Sequence, residues 1–552
     1  MSAPPVTHPM LQADASQFDR GDLSFIIVAG ILVLFMVPGL GFLYSGLARR
    51  KSARELDITF HRYPAVLMND FILVSLVWAV TGSNGITIFQ WFFWGYSLAF
   101  SSSASNGYIG NLRNFGLRKV LGDPSPGSPL IPELLYSFFQ MEFACVTASI
   151  LIGGIAERGR LWPAMVFTFC WVTLGERWLA SLHKNLTRAS VLPKYISFLL
   201  RKSDLEHLSS VACWAWNNSG WAFKWGVLDF AGGGPVELGS GVGGLALAWV
   251  LGHRGKNELL NFRPHNVSIV NLGTFILWFG WLGFNGGSAF GANLRAIMAI
   301  WNSMLASAFA GMTWVLLDFR LERRWSMVGL CSGTIAGLVA ATPSSGFIPP
   351  WASVIVGILS GGLCNFATKV KFIVGIDDAL DLFAEHAVGG AVGLFCNGLF
   401  ASSEIIALDG VNTGVRGGWL DRNWKQLYMQ IAYIVAVSVY TFVVTAVIAK
   451  AIDLAGLRLR ITPEEERLGM DEVEVGEFAS DYIELRRDYM DGIRPFDSSE
   501  NQRSPAVAGD RHGVPDIDER SRGSEGRTTD EKVESEEAAN GNQHVHPATN
   551  DT

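Results

Sequence analysis

Charged residues are scarce in this chain. They make up 17% of its 552 residues, whereas a soluble domain carries about a quarter. Cysteine is scarce as well, and the six cysteines are scattered in apolar runs with neither metal-ligand spacing nor a paired framework. We therefore expect no soluble globular domain, no disulfide scaffold and no metal site. The chain has instead 49% hydrophobic residues, 60 Gly, 19 Trp and a mean hydropathy of +0.27, which is typical of a polytopic membrane protein.

Signatures of nucleotide chemistry are also missing. The pattern G-x-x-x-x-G-K does not occur, and no G-x-G-x-x-G lies between a strand and a helix. We find no nucleophile–base constellation and no cofactor loop, so we predict that the chain is not an enzyme and needs no cofactor. The first twenty residues lack a charged region followed by an apolar core, so no cleavable signal peptide is predicted.

Eleven apolar segments are long enough, or nearly long enough, to cross a bilayer, which takes about 20 residues each. They cover approximately residues 23–47, 75–100, 132–155, 162–174 continued by 211–216, 230–251, 267–290, 296–317, 327–341, 351–370, 382–401 and 427–451. We therefore predict an all-α membrane protein with eleven transmembrane helices.

Basic residues predict the orientation. The stretches RRKSAR, ERGR, GHRGKNELLNFR, DFRLERRW, TKVK and LRLR follow every second span, and such loops face the cytosol. The N-terminal residues 1–22 are then extracellular and the C-terminus is cytosolic. The basic loop NLRNFGLRK after the second span contradicts this assignment, but the other six loops agree with it and we follow them. From residue 462 onward the chain is polar and poor in aromatics, a composition typical of disorder.

One apolar stretch carries an unusual set of ionisable groups. The sequence IDDALDLFAEHAVGGAVGLF, residues 376–395, contains three aspartates, a glutamate and His386. Ionisable groups at membrane depth are expensive and usually face a bundle interior or a pathway. This pattern predicts a polar conduit with His386 inside it.

Several stretches closely resemble the Amt/Mep/Rh ammonium transporter family, in its fungal Mep branch. They run in the family's order from about residue 25 to residue 477: VPGLGFLYSGLARRKSA, FQWFFWGYSLAFS, GGIAERGRL, LDFAGGGPVELGSG, WFGWLGFNGGSA, GLCSGTIAGLVAATP and IDDALDLFAEHAVGG. The resemblance implies an inverted repeat of spans one to five and six to ten, plus an eleventh span. It also implies a plasma-membrane homotrimer with one pore per subunit, and ammonium or ammonia as the substrate.

The resemblance assigns roles to aromatic and polar residues along that pore. Trp216, Phe143 and Ser288 match the external recruitment site, where an ammonium ion takes a cation–π interaction and a hydrogen bond. Phe143 and Phe284 match two stacked gate phenylalanines, although composition alone favours ordinary helix packing for either ring. Asp229 matches the family's buried aspartate near the recruitment site. It is also a good N-cap for the fifth span, and both roles are compatible.

The chain departs from the family's common pattern at the centre of the pore. Most members place two histidines side by side there; this chain has Glu237 at the first position and His386 at the second, as some fungal members do. A carboxyl and an imidazole in contact titrate as a pair. We therefore expect a pH optimum that differs from that of a His–His member. A structural role remains the alternative for a single buried histidine.

Two segments interrupt the family pattern, at about residues 54–74 and 175–210. The second holds about eleven charged or His residues, so it cannot continue a helix through lipid. We interpret both as translated introns, because Arg54-Glu55-Leu56 and Gly175-Glu176-Arg177 can each be encoded with a GTGAG donor. A lineage-specific insertion is the alternative.

The sequence is compatible with three functions, of which ammonium uptake is the leading hypothesis. The second is an ammonium sensor that signals through its tail, although Glu237 counts against it. The third is an inactive product of unspliced message. The predicted organisation is an extracellular N-terminus at 1–22, a membrane domain at 23–452, a cytosolic regulatory region at 453–492 and a disordered tail at 493–552. The segment ITPEEERLGMDEVEVGE in the third region resembles the family's subunit-coupling tail.

Overall fold

A computed structural model describes residues 17–48, 74–104, 106–173, 208–255 and 264–477. Throughout these ranges the chain is helical or irregular, and its only extended pairings are two isolated bridges, Pro124 with Pro132 and Gly159 with Arg460. The α-helices, numbered in chain order, are α1 (Arg20–Leu34), α2 (Met36–Leu47), α3 (Val74–Gln90), α4 (Tyr96–Phe100), α5 (Glu133–Ile152), α6 (Leu161–Thr173), α7 (Leu208–Trp216), α8 (Trp221–Trp225), α9 (Gly239–Leu251), α10 (Val267–Gly287), α11 (Leu294–Glu322), α12 (Met327–Ala341), α13 (Pro350–Ala367), α14 (Val370–Val374), α15 (Gly389–Phe400), α16 (Ser403–Ile406), α17 (Lys425–Leu454) and α18 (Pro463–Leu468).

Short helices of other types interrupt or extend this series. Within the described ranges, four π-helical turns cover Trp91–Gly95, Gly233–Leu238, Phe383–Val388 and Asp471–Val475. Four 3₁₀ turns in the same ranges cover Phe115–Leu117, Gly153–Ile155, Ala407–Asp409 and Trp419–Asp421. Two of the π turns lead directly into α9 and α15, the helices that carry the ionisable pore candidates.

The predicted all-α membrane fold is confirmed, because each of the eleven predicted segments lies on helix. In the described part of the chain, seven helical stretches are individually long and apolar enough to cross a membrane. An eighth is bent by 108° between Phe383–Phe400 and Ser403–Asp409. The remaining three segments are the short apolar helices α6 and α12, and α3 with α4, which are separated by a π turn. Fewer than eleven helices are long enough to cross a membrane without a break, because some predicted spans are short or interrupted helices and not because helices are missing.

The two predicted inserts and both ends of the chain fall largely outside the described residues. The structure resumes with α3 at Val74 after the first insert and with α7 at Leu208 after the second. The predicted extracellular segment 1–22 is described only from residue 17, and the predicted disordered tail 493–552 lies wholly outside.

Packing divides the bundle into two halves closed by the last long helix. In the first half, α5 packs against α1, α3 and α9, and in the second half α11 packs against α12 and α13. Helix α10 joins the halves through α1 and α2, and α17 lies along α9 and α15. Large apolar side chains on the outer faces, such as Phe275, Phe279 and Trp301, are more than half exposed. An apolar exterior of this kind suits lipid or a neighbouring subunit.

Ion pairs concentrate at one end of the bundle, which we call the tail face because residues 457–476 pack there. Arg254 binds the Asp377 carboxylate through Nε and Nη2 at 2.7 and 2.6 Å and Glu157 through Nη1 at 2.6 Å. Burial opposes ionisation of Asp377. The hydrogen bonds and charge of Arg254, with the charge of Arg158, outweigh that effect and hold the pKa of Asp377 well below its usual range.

The tail segment docks on this face through its acidic residues. Asp471 accepts hydrogen bonds from the backbone amides of Val74 and Ser75 at 3.0 and 2.9 Å, so it satisfies the first amides of α3. Glu474 pairs with Arg160 at 3.0 Å. The tail therefore completes a helix terminus within the membrane domain.

Candidate functional site

Two of the three residues predicted for the recruitment site, Trp216 and Phe143, are in contact beside a small cavity. The rings of Trp216 and Phe143 meet edge to face, with centroids 6.2 Å apart. A cavity of about 20 Å³ borders both rings, which is room for about one water-sized molecule. Ser288 donates its hydroxyl proton to the carbonyl oxygen of Phe284 at 2.9 Å, which leaves the lone pairs of that hydroxyl able to accept. We call these three residues the aromatic site.

The structure stacks the two predicted gate rings directly on each other. The centroids of Phe143 on α5 and Phe284 on α10 are 3.8 Å apart, and the ring planes differ by 17°. Both side chains are buried, at 3% and 0% exposure. The ring contact leaves no gap between Phe143 and Phe284 for a hydrated ion.

Asp229 organises the backbone beside the aromatic site. Its carboxylate accepts hydrogen bonds from the amides of Gly232, Gly233 and Gly234 at 3.0, 2.6 and 2.8 Å. Its carbonyl oxygen accepts from the indole Nε1 of Trp216 at 3.0 Å. The capping role expected from the sequence is therefore present, and the same residue also fixes the orientation of the Trp216 ring.

The predicted Glu237–His386 pair is in contact across the two halves of the bundle. Oε2 of Glu237 lies 2.9 Å from Nδ1 of His386, and the two side chains are 0% and 3% exposed. Oε1 of Glu237 is buried and makes no hydrogen bond of good geometry within the described part of the chain, although the hydroxyl of Thr342 interacts with this carboxyl. A buried carboxyl oxygen that is incompletely hydrogen-bonded is unfavourable, so it can accept a further hydrogen bond.

Two glycines occupy equivalent positions after Glu237 and His386. Gly241 lies four residues, or about one helical turn, after Glu237, and Gly390 lies four residues after His386. A Cβ on Gly390 would meet the Cβ of Glu237 at 2.7 Å, and a Cβ on Gly241 would collide with the backbone of Ala387. Each glycine therefore lets its helix approach the ionisable turn of the other. The two π turns, a feature frequent at functional sites, follow the predicted inverted repeat.

The three aspartates before His386 have separate partners. Asp378 accepts from the amide of Phe383 at 2.9 Å and so satisfies the first amide of the π turn that begins the tenth span. Asp381 pairs with Lys371 at 2.8 Å, and Asp377 belongs to the Arg254 cluster. Glu142, next to Phe143, is buried, and its Oε2 has no hydrogen-bond partner in the described ranges.

Sequence reasoning missed two residues that support the site. Tyr433 on α17 donates its hydroxyl proton to Asp229 at 3.3 Å, and Thr342 accepts from the indole of Trp281 at 2.8 Å. A tyrosine deep in an apolar span is a usable signal, because its hydroxyl needs a buried partner. The identity of that partner, 204 positions away, cannot be read from local pattern.

Comparison with known proteins fits this geometry. A sequence model described as the Ammonium Transporter Family matches residues 24–183 and 192–480. The chain belongs to the ammonium transporter family. It is 48% identical to ammonium transporter MEP3 of Saccharomyces cerevisiae over 474 residues, which cover 86% of each chain. It is 47% identical to ammonium transporter 2 of Schizosaccharomyces pombe over 486 residues, which cover 87% of this chain and 85% of that one.

A solved structure from the ammonium transporter family has the same architecture. The crystal structure of Saccharomyces cerevisiae Mep2 superposes with a TM-score of 0.68 at 40% identity, covering 81% of this chain and 92% of Mep2. The resemblance found in the sequence motifs is thereby confirmed at the level of family and fold.

Proposed function

We propose that this protein is an ammonium transporter of the plasma membrane that takes NH4⁺ from outside and passes ammonia or ammonium through a phenylalanine-gated pore. The observation that carries the proposal is the buried contact between Glu237 and His386, 2.9 Å apart, in a chain that also stacks Phe143 on Phe284. The family membership and the names of the relatives supply the substrate class.

Recruitment would take place at the aromatic site. The faces of Trp216 and Phe143 attract a cation, and the hydroxyl of Ser288 accepts a hydrogen bond from it. The buried carboxylate of Asp229 lies behind Trp216 and is occupied by three backbone amides and Tyr433. It therefore acts on the cation through its charge and through the orientation of the indole, not as a direct ligand.

The stacked rings would select for a solute that can lose its water or a proton. Transfer of a bare ion into apolar surroundings costs many kcal/mol, whereas neutral ammonia leaves water far more readily. Beyond the rings, the carboxyl of Glu237 is in hydrogen-bond contact with Nδ1 of His386, and its buried Oε1 can accept from an N–H of the passing molecule. The pair thus offers the polar contacts that the apolar passage lacks.

The assembly and the orientation are part of the same proposal. The basic loops support an orientation in which the tail face is cytosolic and the aromatic site is outside. Apolar outer faces on α1, α10 and α11 suit contact with two further copies in a homotrimer as well as with lipid. Cross-linking of the protein in intact membranes tests this assembly, since a monomer would give no trimer band.

Growth of yeast that lacks its own ammonium transporters tests the function. Two versions are expressed, the full 552 residues and a version without residues 54–74 and 175–210, with surface amounts measured for both. Rescue on limiting ammonium by the shortened version alone supports transport and the intron interpretation. Rescue by both means that the segments loop out harmlessly. Failure of both, with both at the surface, contradicts transport and favours a sensor.

Transcript sequencing tests the intron interpretation separately. Mature messenger RNA that retains both segments would exclude it and leave a lineage-specific insertion.

A further inference from the structure

Arg295 is a buried cation with no place in the pore mechanism described above. It lies in the first turn of α11 and is 5% exposed. Its Nη2 pairs with Oδ2 of Asp409 at 2.7 Å, and its Nη1 donates to the carbonyl oxygen of Ile406 at 3.2 Å. Removing a charge from water is expensive, so a cation held in this way calls for an explanation beyond packing.

The Arg295 guanidinium lies over two aromatic rings, within the range of a cation–π interaction. Its Cζ is 5.6 Å from the ring centroid of Phe230 and 6.0 Å from that of Phe347. The two rings also pack edge to face, with centroids 5.3 Å apart. A Cβ on Gly346 would collide with the Phe230 ring, so that ring has no room on this side. Arg295, Phe347 and Gly346 therefore enclose the Phe230 ring, and we call this arrangement the Arg295 bracket.

Phe230 fixes the backbone stretch that builds the aromatic site. Its amide donates to the carbonyl of Pro343 at 3.1 Å, and the next amide, of Ala231, donates to Thr342 at 3.0 Å. The residue before it is Asp229, whose carbonyl orients the Trp216 indole at 3.0 Å. A shift of the Phe230 ring would therefore move the hydrogen-bond acceptor of Trp216.

We propose that Arg295 is a positioning residue that sets the affinity for ammonium by holding Phe230, and through it Asp229 and the Trp216 ring. The inference rests on the proposed function and adds a residue remote from the pore to it. Because Trp216 lies before the gate, loss of the bracket weakens recruitment and leaves passage through the rings and the Glu237–His386 pair intact.

The geometry explains why arginine serves here and lysine does not. A planar guanidinium can lie over a ring and still donate from its edge to a carboxylate, whereas an ammonium group concentrates its charge at one point. Asp409, the carboxylate partner of Arg295, is itself held in place by hydrogen bonds. Asp409 accepts from the amides of Val411 and Asn412 at 2.9 and 2.8 Å, so the bracket is anchored in its own loop.

The test is a double-mutant cycle in yeast that lacks its own ammonium transporters. Arg295→Lys, Phe230→Leu and the double variant are compared with the unchanged chain, and initial uptake is measured against ammonium concentration and normalised to surface amount. Arg295→Lys is expected to raise KM by about 3-fold to 30-fold, with the maximal rate per surface molecule changed by less than about twofold. The double variant should have the KM of Phe230→Leu alone, because both changes release the same bracket.

Arg254→Lys is the matched control. Arg254 is also a buried arginine paired with an aspartate, but it lies on the tail face. It should lower the surface amount and leave KM unchanged. If Arg295→Lys behaves in the same way, with lower surface amount and unchanged KM, Arg295 is only structural and the proposal is wrong. Multiplication of the two KM effects in the double variant would also overturn it.

A milder variant keeps the proposal testable if Arg295→Lys folds poorly. Asp409→Asn keeps the arginine in place and weakens its anchor, so a smaller rise in KM is expected, and an unchanged KM contradicts the proposal. The proposed function fails by a different result, namely no ammonium uptake by the unchanged chain although it reaches the surface.

Discussion

Glu237 and His386 touch through Oε2 and Nδ1, 2.9 Å apart, and each belongs to a short π-helical turn that leads into a long helix. The two turns come from opposite halves of the chain, so the contact exists only when both halves are folded together. It joins a carboxyl and an imidazole, two groups that can exchange a proton through this hydrogen bond.

Glu237→Gln should flatten the pH dependence of transport. Glutamine keeps the shape and a hydrogen-bond acceptor but has no ionisable proton, so this side chain can no longer exchange a proton with its partner. The slope of the logarithm of the transport rate against pH should therefore be smaller than in the unchanged chain. Currents from purified protein in liposomes, recorded across a pH series, measure this slope. Glu237→His is the control, since it restores an ionisable side chain at this position; an unchanged slope in Glu237→Gln would contradict a proton-exchanging role for the glutamate.

Phe284→Ala should lower the selectivity against potassium. The ring of Phe284 lies 3.8 Å from that of Phe143, and its removal opens space through which a hydrated ion can pass. Loss of a buried phenylalanine also costs about 3–5 kcal/mol of stability, so uptake is normalised to surface amount. Potassium competition with ammonium uptake measures the effect. Phe319→Ala is the matched control, because Phe319 stacks on Trp325 at 4.3 Å at the end of α11, away from the passage. Equal selectivity in both variants would contradict a gate.

The sequence predicted the helices and the site chemistry, and the reasons are physical. Long apolar runs such as 427–451 need no partner to be recognised as spans, because their length alone matches the bilayer. The likeness of LDFAGGGPVELGSG to a known motif singled out Asp229 and Glu237, and in the structure Glu237 lies 2.9 Å from His386. The π turns were not predicted, because one extra residue in a turn leaves no mark in a continuously apolar pattern. The Arg295 bracket depends on Phe230, Phe347 and Asp409, which only tertiary packing brings together.

Asp377→Asn should destabilise the protein most at neutral pH. The native pKa of Asp377 is held below its ordinary value by Arg254 and Arg158, against the effect of burial. A depressed pKa stabilises the fold above the unfolded pKa of about 3.9, and that contribution is lost as the pH falls through the folded pKa. The variant removes a partner of a buried pair and should lose about 3–5 kcal/mol at pH 7.

Thermal unfolding of purified protein between pH 7 and pH 3 checks this sign. The difference in melting temperature between Asp377→Asn and the unchanged chain should shrink toward acid pH. Glu465→Gln is the comparison, because the pKa of Glu465 is lowered mainly by a hydrogen bond from the Thr462 amide and the side chain is exposed. That variant should change the melting temperature little. A difference for Asp377→Asn that grows toward acid pH would contradict the assigned pKa shift.

Asp471→Ala should loosen the start of α3 and release the tail. The carboxylate of Asp471 accepts hydrogen bonds from the amides of Val74 and Ser75, and no other side chain in the described ranges accepts from these two amides. Losing such a cap costs about 0.5–2 kcal/mol, too little to unfold the bundle and enough to raise the opening rate of one terminus. Hydrogen exchange should therefore become faster at the first amides of α3 and in the segment 462–476, while α10 and α11 keep their protection. Glu472→Ala removes an exposed neighbouring charge and should leave both segments unchanged. If Asp471→Ala also leaves them unchanged, the tail is held by Glu474 and Arg160 instead, and the cap carries no part of its docking.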